Sequence, residues 1–225
     1  MNIKSVVATA VAALALSTAA QASQVFNQSG TNTLGNPVSF TATFTATAGN
    51  LQIVITNNQP NETAANQGIN GFTFTYTNAS GPFTLGTQSG QLANINGSTV
   101  QNIAGSPTWS LVQSPLGATT LTGGQPTELI FGTTGINCNA SCSNFNPAIA
   151  NTLTLNILGN FTTNTFINTL TVTYGTQAGE GTLTSSSGGT PGAGSAPEPS
   201  SSALALIGVA LLAGTMLRRR KQGQR

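Results

Sequence analysis

Three glutamates, Glu62, Glu128 and Glu180, are the only carboxylate side chains between residues 23 and 196. A pair of carboxylates could perform glycoside hydrolysis, one as the acid and the other as the base or nucleophile. Serine and threonine hydroxyls are abundant, but the chain has no histidine, and this stretch has no lysine, to activate them as nucleophiles. The glutamates are scattered, so we interpret them as solvated surface groups. We expect no catalytic residues and no cofactor, with a secreted hydrolase as the weakest alternative.

Two cysteines, Cys138 and Cys142, form the motif CNASC. Zinc binds four ligands drawn from cysteine, histidine and carboxylate side chains, and calcium sites usually gather several carboxylates. The chain lacks histidine and its glutamates are scattered, so we predict no metal site. In an exported chain a closely spaced cysteine pair is typical of a disulfide, which here would pin a small turn.

Aromatic side chains could bind sugars by stacking if their rings were exposed. Trp109 is the only tryptophan and is therefore the candidate sugar contact. Tyr76 and Tyr174 alternate with residues that are typical of a core. All three residues fit a packed core better than an exposed platform, so a carbohydrate-binding module stays an alternative to a structural role.

Strands must position these side chains, because apolar and polar residues alternate along much of the body. In VSFTATFTATA the residues Val38, Phe40, Ala42, Phe44 and Ala46 would face one way and the intervening threonines the other. The same alternation occurs in LQIVIT, GFTFTYT, NTLTLNIL and NTLTVTYG, and further short strands are predicted in QLANI, STVQNI, TWSLVQ and TELIFG. Gly-Asn at residues 49–50 and Asn-Gly at residues 96–97 predict hairpin turns.

Short strands punctuated by glycine, proline and asparagine predict an all-β domain over residues 23–183. We expect an antiparallel β-sandwich, jelly-roll-like or Ig-like, and a threonine-rich β-helix stays open as an alternative. Rows of threonine could order water as ice-binding surfaces do, but they are more typical of the wet face of a strand. Strands without charged residues lack the groups that keep sheet edges apart, so we predict self-association or embedding in a polymer matrix.

The first 22 residues have the features of a secretory signal peptide. Lys4 supplies the positive charge, VVATAVAALAL forms the apolar region, and Ala20-Gln21-Ala22 predicts cleavage after Ala22. The apolar run is too short to favour an N-terminal membrane anchor, which is the alternative. We therefore predict that the secretion machinery exports the chain.

The other end of the chain combines a flexible tether with an apolar stretch. Residues 184–199 are rich in glycine, serine and proline, which predicts a linker. Residues 200–217 carry no charge and come close to the length that crosses a bilayer, so we predict a short transmembrane helix. The basic tail at residues 218–225 would stay in the cytoplasm by the positive-inside rule.

Charge is almost absent from the predicted exported body. Residues 23–196 contain three glutamates and no lysine, arginine or histidine, which gives a net charge near −3. Nucleic-acid binding requires cations that neutralise phosphates, so this composition excludes it.

Two short motifs flank the apolar stretch near the end of the chain. They are the triplet Pro197, Glu198, Pro199 and the basic cluster Arg218, Arg219, Arg220, Lys221. This arrangement resembles the PEP-CTERM sorting signal, and the resemblance is confined to about the last thirty residues. It implies a Gram-negative bacterium that makes extracellular polysaccharide, and an exosortase-type processing enzyme as a partner. That enzyme would remove the tail of a precursor held transiently in the inner membrane.

The resemblance indicates where the protein is sent and says nothing about the activity of residues 23–183. We expect an exported structural or adhesive protein of the cell surface or of a biofilm-like extracellular matrix. Extracellular polysaccharide is the partner that this location would offer.

Overall fold

Strands account for most of the described chain. The computed structural model describes residues 23–60, 62–96, 99–103, 107–114, 117–123, 128–132, 145, 147–176 and 181–186. Besides one short 3-10 helix, Ala65–Gln67, the regular elements are strands β1 (Ser23–Thr31), β2 (Pro37–Thr47), β3 (Asn50–Asn57), β4 (Ile69–Thr77), β5 (Ser80–Asn96), β6 (Thr99–Ile103), β7 (Trp109–Gln113), β8 (Ala118–Gly123), β9 (Ile130–Phe131), β10 (Ala148–Asn160), β11 (Phe166–Tyr174) and β12 (Gly181–Ser186). The prediction of an all-β body is therefore confirmed.

All of these strands belong to one large sheet, and its neighbours run antiparallel with the exception of β9 and β10. The order along the main path is β1-β2-β3-β10-β9-β4-β11-β12. Strand β5 pairs with β10 and β6, while β8 pairs with β4 and β7. A β-helix would need parallel stacking, so the pairing overturns that alternative for the described part of the chain.

The sheet folds over so that its two halves face each other across an apolar core. The rings of Phe44 on β2 and Phe74 on β4 have centroids 5.3 Å apart, although these strands are not neighbours in the sheet. Tyr76 on β4 likewise meets Phe83 on β5 at 5.3 Å. One layer is thus β1-β2-β3-β10-β5-β6, and the other is β7-β8-β4-β11-β12. We call these the first and second layers.

The short strand β9 connects the two layers. Ile130 pairs with Ile149 on β10 and with Ile69 on β4. Beyond that point β10 takes β3 as its partner instead, and Asn151 at φ 65° marks a register shift in its pairing with β5. Asparagine tolerates the left-handed conformation better than most residues, which explains its place at this irregularity.

Three glutamine side chains close gaps between the layers where no strand pairing exists. Gln24 on β1 accepts from the N–H of Ile167 at 2.7 Å and donates to its carbonyl at 3.2 Å. Gln88 on β5 makes the same pair of bonds to Trp109, at 2.7 and 3.3 Å. Each amide therefore bonds one backbone residue in the way that a neighbouring strand would. We call these contacts, together with that of Gln113 to Phe83, the glutamine clasps.

Alternation in the sequence identified the interior side of several strands. Phe40 and Phe44 on β2 and Phe72 and Phe74 on β4 are all buried, while the threonines between them point outward. Strands β1, β8 and β12 and the first half of β5 were not predicted as strands. Strand β12 ends at Ser186, so residues 184–186, predicted as linker, pair with β11 instead.

The two predicted hairpins form, but in each the asparagine of the predicted turn pairs within a strand. Thr47 pairs with Asn50, so the turn is Ala48-Gly49, and Gly49 adopts φ 83°. Asn96 pairs with Thr99, so Asn96 is the last residue of β5. Asparagine thus closes the strand in both cases rather than occupying the turn itself.

Several predictions concern segments beyond the described residues. These are the signal peptide with its cleavage after Ala22, the cysteine pair Cys138 and Cys142, the Pro-Glu-Pro triplet, the apolar segment 200–217 and the basic cluster. Within the described ranges, no helix is sufficiently long and apolar to span a membrane.

Candidate functional site

The outer side of the second layer carries mainly hydroxyl side chains, which line up in rows across its strands. Its central row runs across five strands, from Val112 through Thr120, Thr73 and Thr171 to Thr184. A second row places Ser110, Thr122, Thr173 and Thr182 in register, with Gly71 on β4 between Thr122 and Thr173. Thr75 and Thr169 belong to a third row. We call this surface the threonine face.

Hydroxyls on the threonine face bond to one another across strands. The Oγ1 atoms lie 2.8 Å apart in the pair Thr73 and Thr120, and 2.6 Å apart in the pair Thr75 and Thr169. Similar bonds join Ser110 with Thr122 at 2.9 Å and Thr171 with Thr184 at 3.0 Å. Each bond uses one donor, so every pair keeps a second hydroxyl hydrogen and free lone pairs for an outside partner.

None of the outward residues in these rows is charged, and Val112 is the exposed large apolar side chain among them, at 59%. The outer side of the first layer is less regular. It also carries threonines, including the bonded pair Thr56 and Thr152 at 2.9 Å. Its rows are interrupted by Val25, which is 57% exposed, and by amides such as that of Gln52. The two surfaces therefore share neutrality and threonine side chains, and they differ in how regularly the hydroxyl rows continue across the strands.

Glu62 is buried, which overturns its interpretation as a solvated surface group. Its side chain is 0% exposed, and one oxygen accepts from the backbone N–H of Gly132. The other oxygen, Oε2, has no hydrogen-bond partner in the described part of the chain. Burial disfavours the charged form and raises the pKa of Glu62 from 4.5 to about 7, while bonds from backbone N–H groups oppose the shift.

Buried amides surround the segment that carries Glu62. Asn57 donates to the carbonyls of Gln67 and Ile130, both at 2.9 Å. The Oε1 atom of Gln67 accepts from the N–H groups of Thr63 and Ala64. These bonds satisfy the loop's own backbone, so the cluster is built to hold the loop against the layers.

The other two glutamates form no site with Glu62 among the described residues. Glu128 is partly exposed and accepts from the N–H and the hydroxyl of Thr108. Glu180 lies outside the described residues. The arrangement therefore assembles no facing carboxylate pair from the parts of the chain that are described.

Trp109 is a core residue, so the prediction that its side chain contacts a sugar is wrong. The side chain is 4% exposed and its ring centroid lies 5.8 Å from that of Phe72. A sugar ring cannot stack on a face that is already covered. Tyr174 is fully buried, and its hydroxyl has no hydrogen-bond partner among the described residues. Burial raises its pKa well above the ordinary value.

Sequence reasoning missed the glutamine clasps and the burial of Glu62. Gln24 and Ile167 are separated by 143 positions, and no local pattern joins them. One signal was present for Glu62. A single carboxylate in an otherwise uncharged segment, NQPNETAANQG, followed by small residues, is compatible with a loop folded under a domain.

Comparisons with known proteins give two results for the body of the chain. No curated protein matches it. A solved structure similar to it is the KRT10-binding region domain of the pneumococcal serine rich repeat protein PsrP. The identity is 13%, the alignment covers 74% of this chain and 98% of that chain, and the TM-score is 0.31.

The C-terminal segment gives a more specific match. Residues 195–221 fit the family model described as the PEP-CTERM protein-sorting motif. This range contains the triplet Pro197, Glu198, Pro199 and the basic cluster Arg218, Arg219, Arg220, Lys221. The resemblance noted in the sequence is thereby confirmed. The chain carries a PEP-CTERM sorting motif, a signal that indicates export through a membrane-anchored precursor.

Proposed function

We propose that the protein is an exported structural or adhesive component of the cell surface or extracellular matrix of a Gram-negative bacterium. The sorting motif at residues 195–221 is the observation that carries this proposal. The body suits such a location, because a nearly uncharged, hydroxyl-covered domain can sit within a polymer network without strong electrostatic attachment or repulsion.

The route that we propose starts with a precursor tied to the inner membrane. Residues 200–217 form the membrane segment, and the cluster that begins at Arg218 remains in the cytoplasm. Pro197 and Pro199 keep the intervening backbone extended and non-helical, so an exosortase-type enzyme can reach it. Cleavage at or near Glu198 then separates the body from its anchor.

We propose further that the body is not catalytic. Glu62 is buried with an N–H donor on one oxygen, and Glu128 is engaged by Thr108. Neither arrangement offers the exposed acid and base that a secreted hydrolase would need.

We propose also that the two layers form a β-sandwich, jelly-roll-like or Ig-like. In the same proposal Cys138 and Cys142 form a disulfide.

A carbohydrate-binding module is the second candidate function. Its usual means, an exposed aromatic platform, is not supplied by Trp109 or Tyr174, which are both buried. Binding would therefore have to use hydroxyl groups, and the regular rows of the threonine face are the observation that favours it.

Replacing the triplet at residues 197–199 by alanine tests the sorting proposal. We expect the variant to stay in the inner membrane fraction, whereas the wild-type protein reaches the outer surface and becomes accessible to added protease. Glu180→Gln, a neutral change in a carboxylate that precedes the linker, is the matched control and should be sorted normally. Equal surface exposure of the alanine variant and the wild type would refute the proposed route.

A further inference from the structure

The threonine face is the most regular exposed surface among the described residues, and its chemistry selects a class of partner. The in-register neighbours Thr120, Thr73 and Thr171 lie on adjacent strands. Adjacent strands are spaced about 4.8 Å apart, and alternate residues along one strand about 6.7 Å apart. The face therefore presents a two-dimensional array of hydroxyl and methyl groups rather than a single pocket.

We propose that the threonine face binds a neutral polysaccharide. This inference deepens the proposed function and rests on it for the location where such a polymer is met. Neutral sugar chains present hydroxyls along their edges and C–H groups on their ring faces. Paired hydroxyls such as those of Thr73 and Thr120 can exchange hydrogen bonds with the sugar hydroxyls. The threonine methyl groups can contact the C–H groups of the ring faces.

Charge distinguishes this partner from anionic or cationic polymers. The outward residues of the hydroxyl rows include no ion, so a charged polymer would lose hydration without gaining an opposite charge. Within the described ranges, the remaining carboxylates are the buried Glu62 and the engaged Glu128. A neutral chain meets no such penalty.

A second copy of the protein is the less favoured occupant. Interfaces between proteins bury an apolar centre rich in aromatic residues. The face instead offers hydroxyls and the single exposed Val112. Its hydroxyls would be desolvated against hydroxyls of the same kind, and the gain would be small.

Co-sedimentation of the exported protein, recovered from the cell surface, tests this inference. Microcrystalline cellulose serves as the neutral polymer, with calcium alginate beads as the anionic and insoluble chitosan as the cationic polymer. The test variant is Thr73→Val with Thr171→Val, which keeps side-chain shape and removes two hydroxyls of the central row. The matched control is Thr43→Val with Thr154→Val, the same chemistry on outward positions of the first layer.

We expect wild type and control to bind cellulose, and the test variant to bind about tenfold more weakly, with little binding to either charged polymer. Circular dichroism checks that each variant is folded. If the test variant is not, Thr182→Val with Thr184→Val on strand β12 replaces it.

Four results would overturn the inference. They include equal weakening of cellulose binding in both double variants, equal binding to the charged polymers, and failure of the wild type to bind cellulose. The fourth is a wild-type dimer in sedimentation that only the test variant loses, because this would assign the face to a second copy. Because the protein is recovered from the surface, none of these results affects the proposed route of export.

Discussion

Gln88 and Gln113 each form side-chain hydrogen bonds to the backbone of the strand that carries the other. Gln88 on β5 bonds the backbone of Trp109 on β7, and Gln113 on β7 bonds the backbone of Phe83 on β5, accepting at 3.1 Å and donating at 2.6 Å. The two strands belong to different layers and share no strand pairing. The reciprocal amides therefore connect the layers at this side. They also occupy backbone groups that could otherwise pair with another chain.

Removing either amide should destabilise the fold. Gln88→Ala or Gln113→Ala leaves a backbone N–H and a carbonyl without a partner, so we expect each to lower the free energy of unfolding by about 1–2 kcal/mol. The double variant should lose less than the sum, because the first loss already frees the strands that the second amide holds. Urea unfolding measures these values.

The control for this prediction is Gln91→Ala, an exposed glutamine on the same strand β5. Its replacement should change the free energy of unfolding by less than about 0.5 kcal/mol. Clasp variants as stable as the control would show that the amide bonds contribute nothing. Greater self-association of the clasp variants, seen by light scattering, is expected from the opened edge.

The buried carboxyl of Glu62 should make stability depend on pH. Its pKa is raised to about 7, so between pH 4.5 and 7 the folded protein keeps a proton that the unfolded chain has released. Stability is therefore full below about pH 4.5, falls as pH rises to about 7, and stays low above. The fall is at most about 3 kcal/mol. Melting temperatures between pH 4 and 8 report it.

The Glu62→Gln variant should abolish this pH dependence and be more stable than wild type at pH 8. Glu128→Gln is the matched control and should retain it. Burial raises the pKa of Tyr174 well above its ordinary value, so this hydroxyl stays protonated throughout this pH interval. If the melting temperature of Glu62→Gln depended on pH in the same way as that of the wild type, the proposed burial of the Glu62 carboxyl would be contradicted.

Thr119 and Thr120 are adjacent and should respond oppositely to valine. Thr119 is 0% exposed, and no residue in the described ranges bonds to its hydroxyl, so Thr119→Val should raise the free energy of unfolding by about 1 kcal/mol. Thr120→Val loses the bond to Thr73 on the surface and should be neutral or slightly destabilising. Thermal unfolding compares the two. Stabilisation by Thr120→Val alone would reverse the assigned faces of β8.

Trp109 should behave as a core residue in fluorescence. It is the only tryptophan, so the emission of the protein reports on it alone. Because its side chain is 4% exposed, we expect blue-shifted emission that acrylamide quenches weakly, and no change when cellulose is bound. Trp109→Ala should cost about 3–5 kcal/mol of stability. Strong quenching in the folded protein would place the ring at the surface.

The sequence predicted the interior of the sheet better than its edges. Alternation in β2 and β4 reflects burial on one face, so it placed Phe44 and Phe74 correctly. Strand β12, with the sequence GTLTSS, carries little pattern of its own and is defined by its pairing with β11. The turn between β2 and β3 was located to within one residue, because glycine and asparagine mark it without fixing which residue closes the strand.

The candidate sites were less predictable, because they depend on contacts between distant segments. Glu62 meets Gly132 across 70 positions, and its loop sequence gives no sign of that neighbour. The sequence showed the threonines of this face only as alternating residues within separate strands. Its continuity requires the register of β8, β4, β11 and β12, which side-chain alternation cannot specify. The sorting motif, by contrast, is a continuous segment of the sequence and could be recognised from the sequence directly.

The mass of the C-terminal peptide is the most direct test of the central claim, that the sorting motif delivers this neutral domain to the outside of the cell. Protein is extracted from the surface and from the membranes of cells with and without the processing enzyme, and mass spectrometry identifies its C-terminal peptide. The account predicts a surface form that lacks Arg218 to Lys221, and an uncut, membrane-bound form when the enzyme is missing. A surface form that still carries the basic cluster would contradict it.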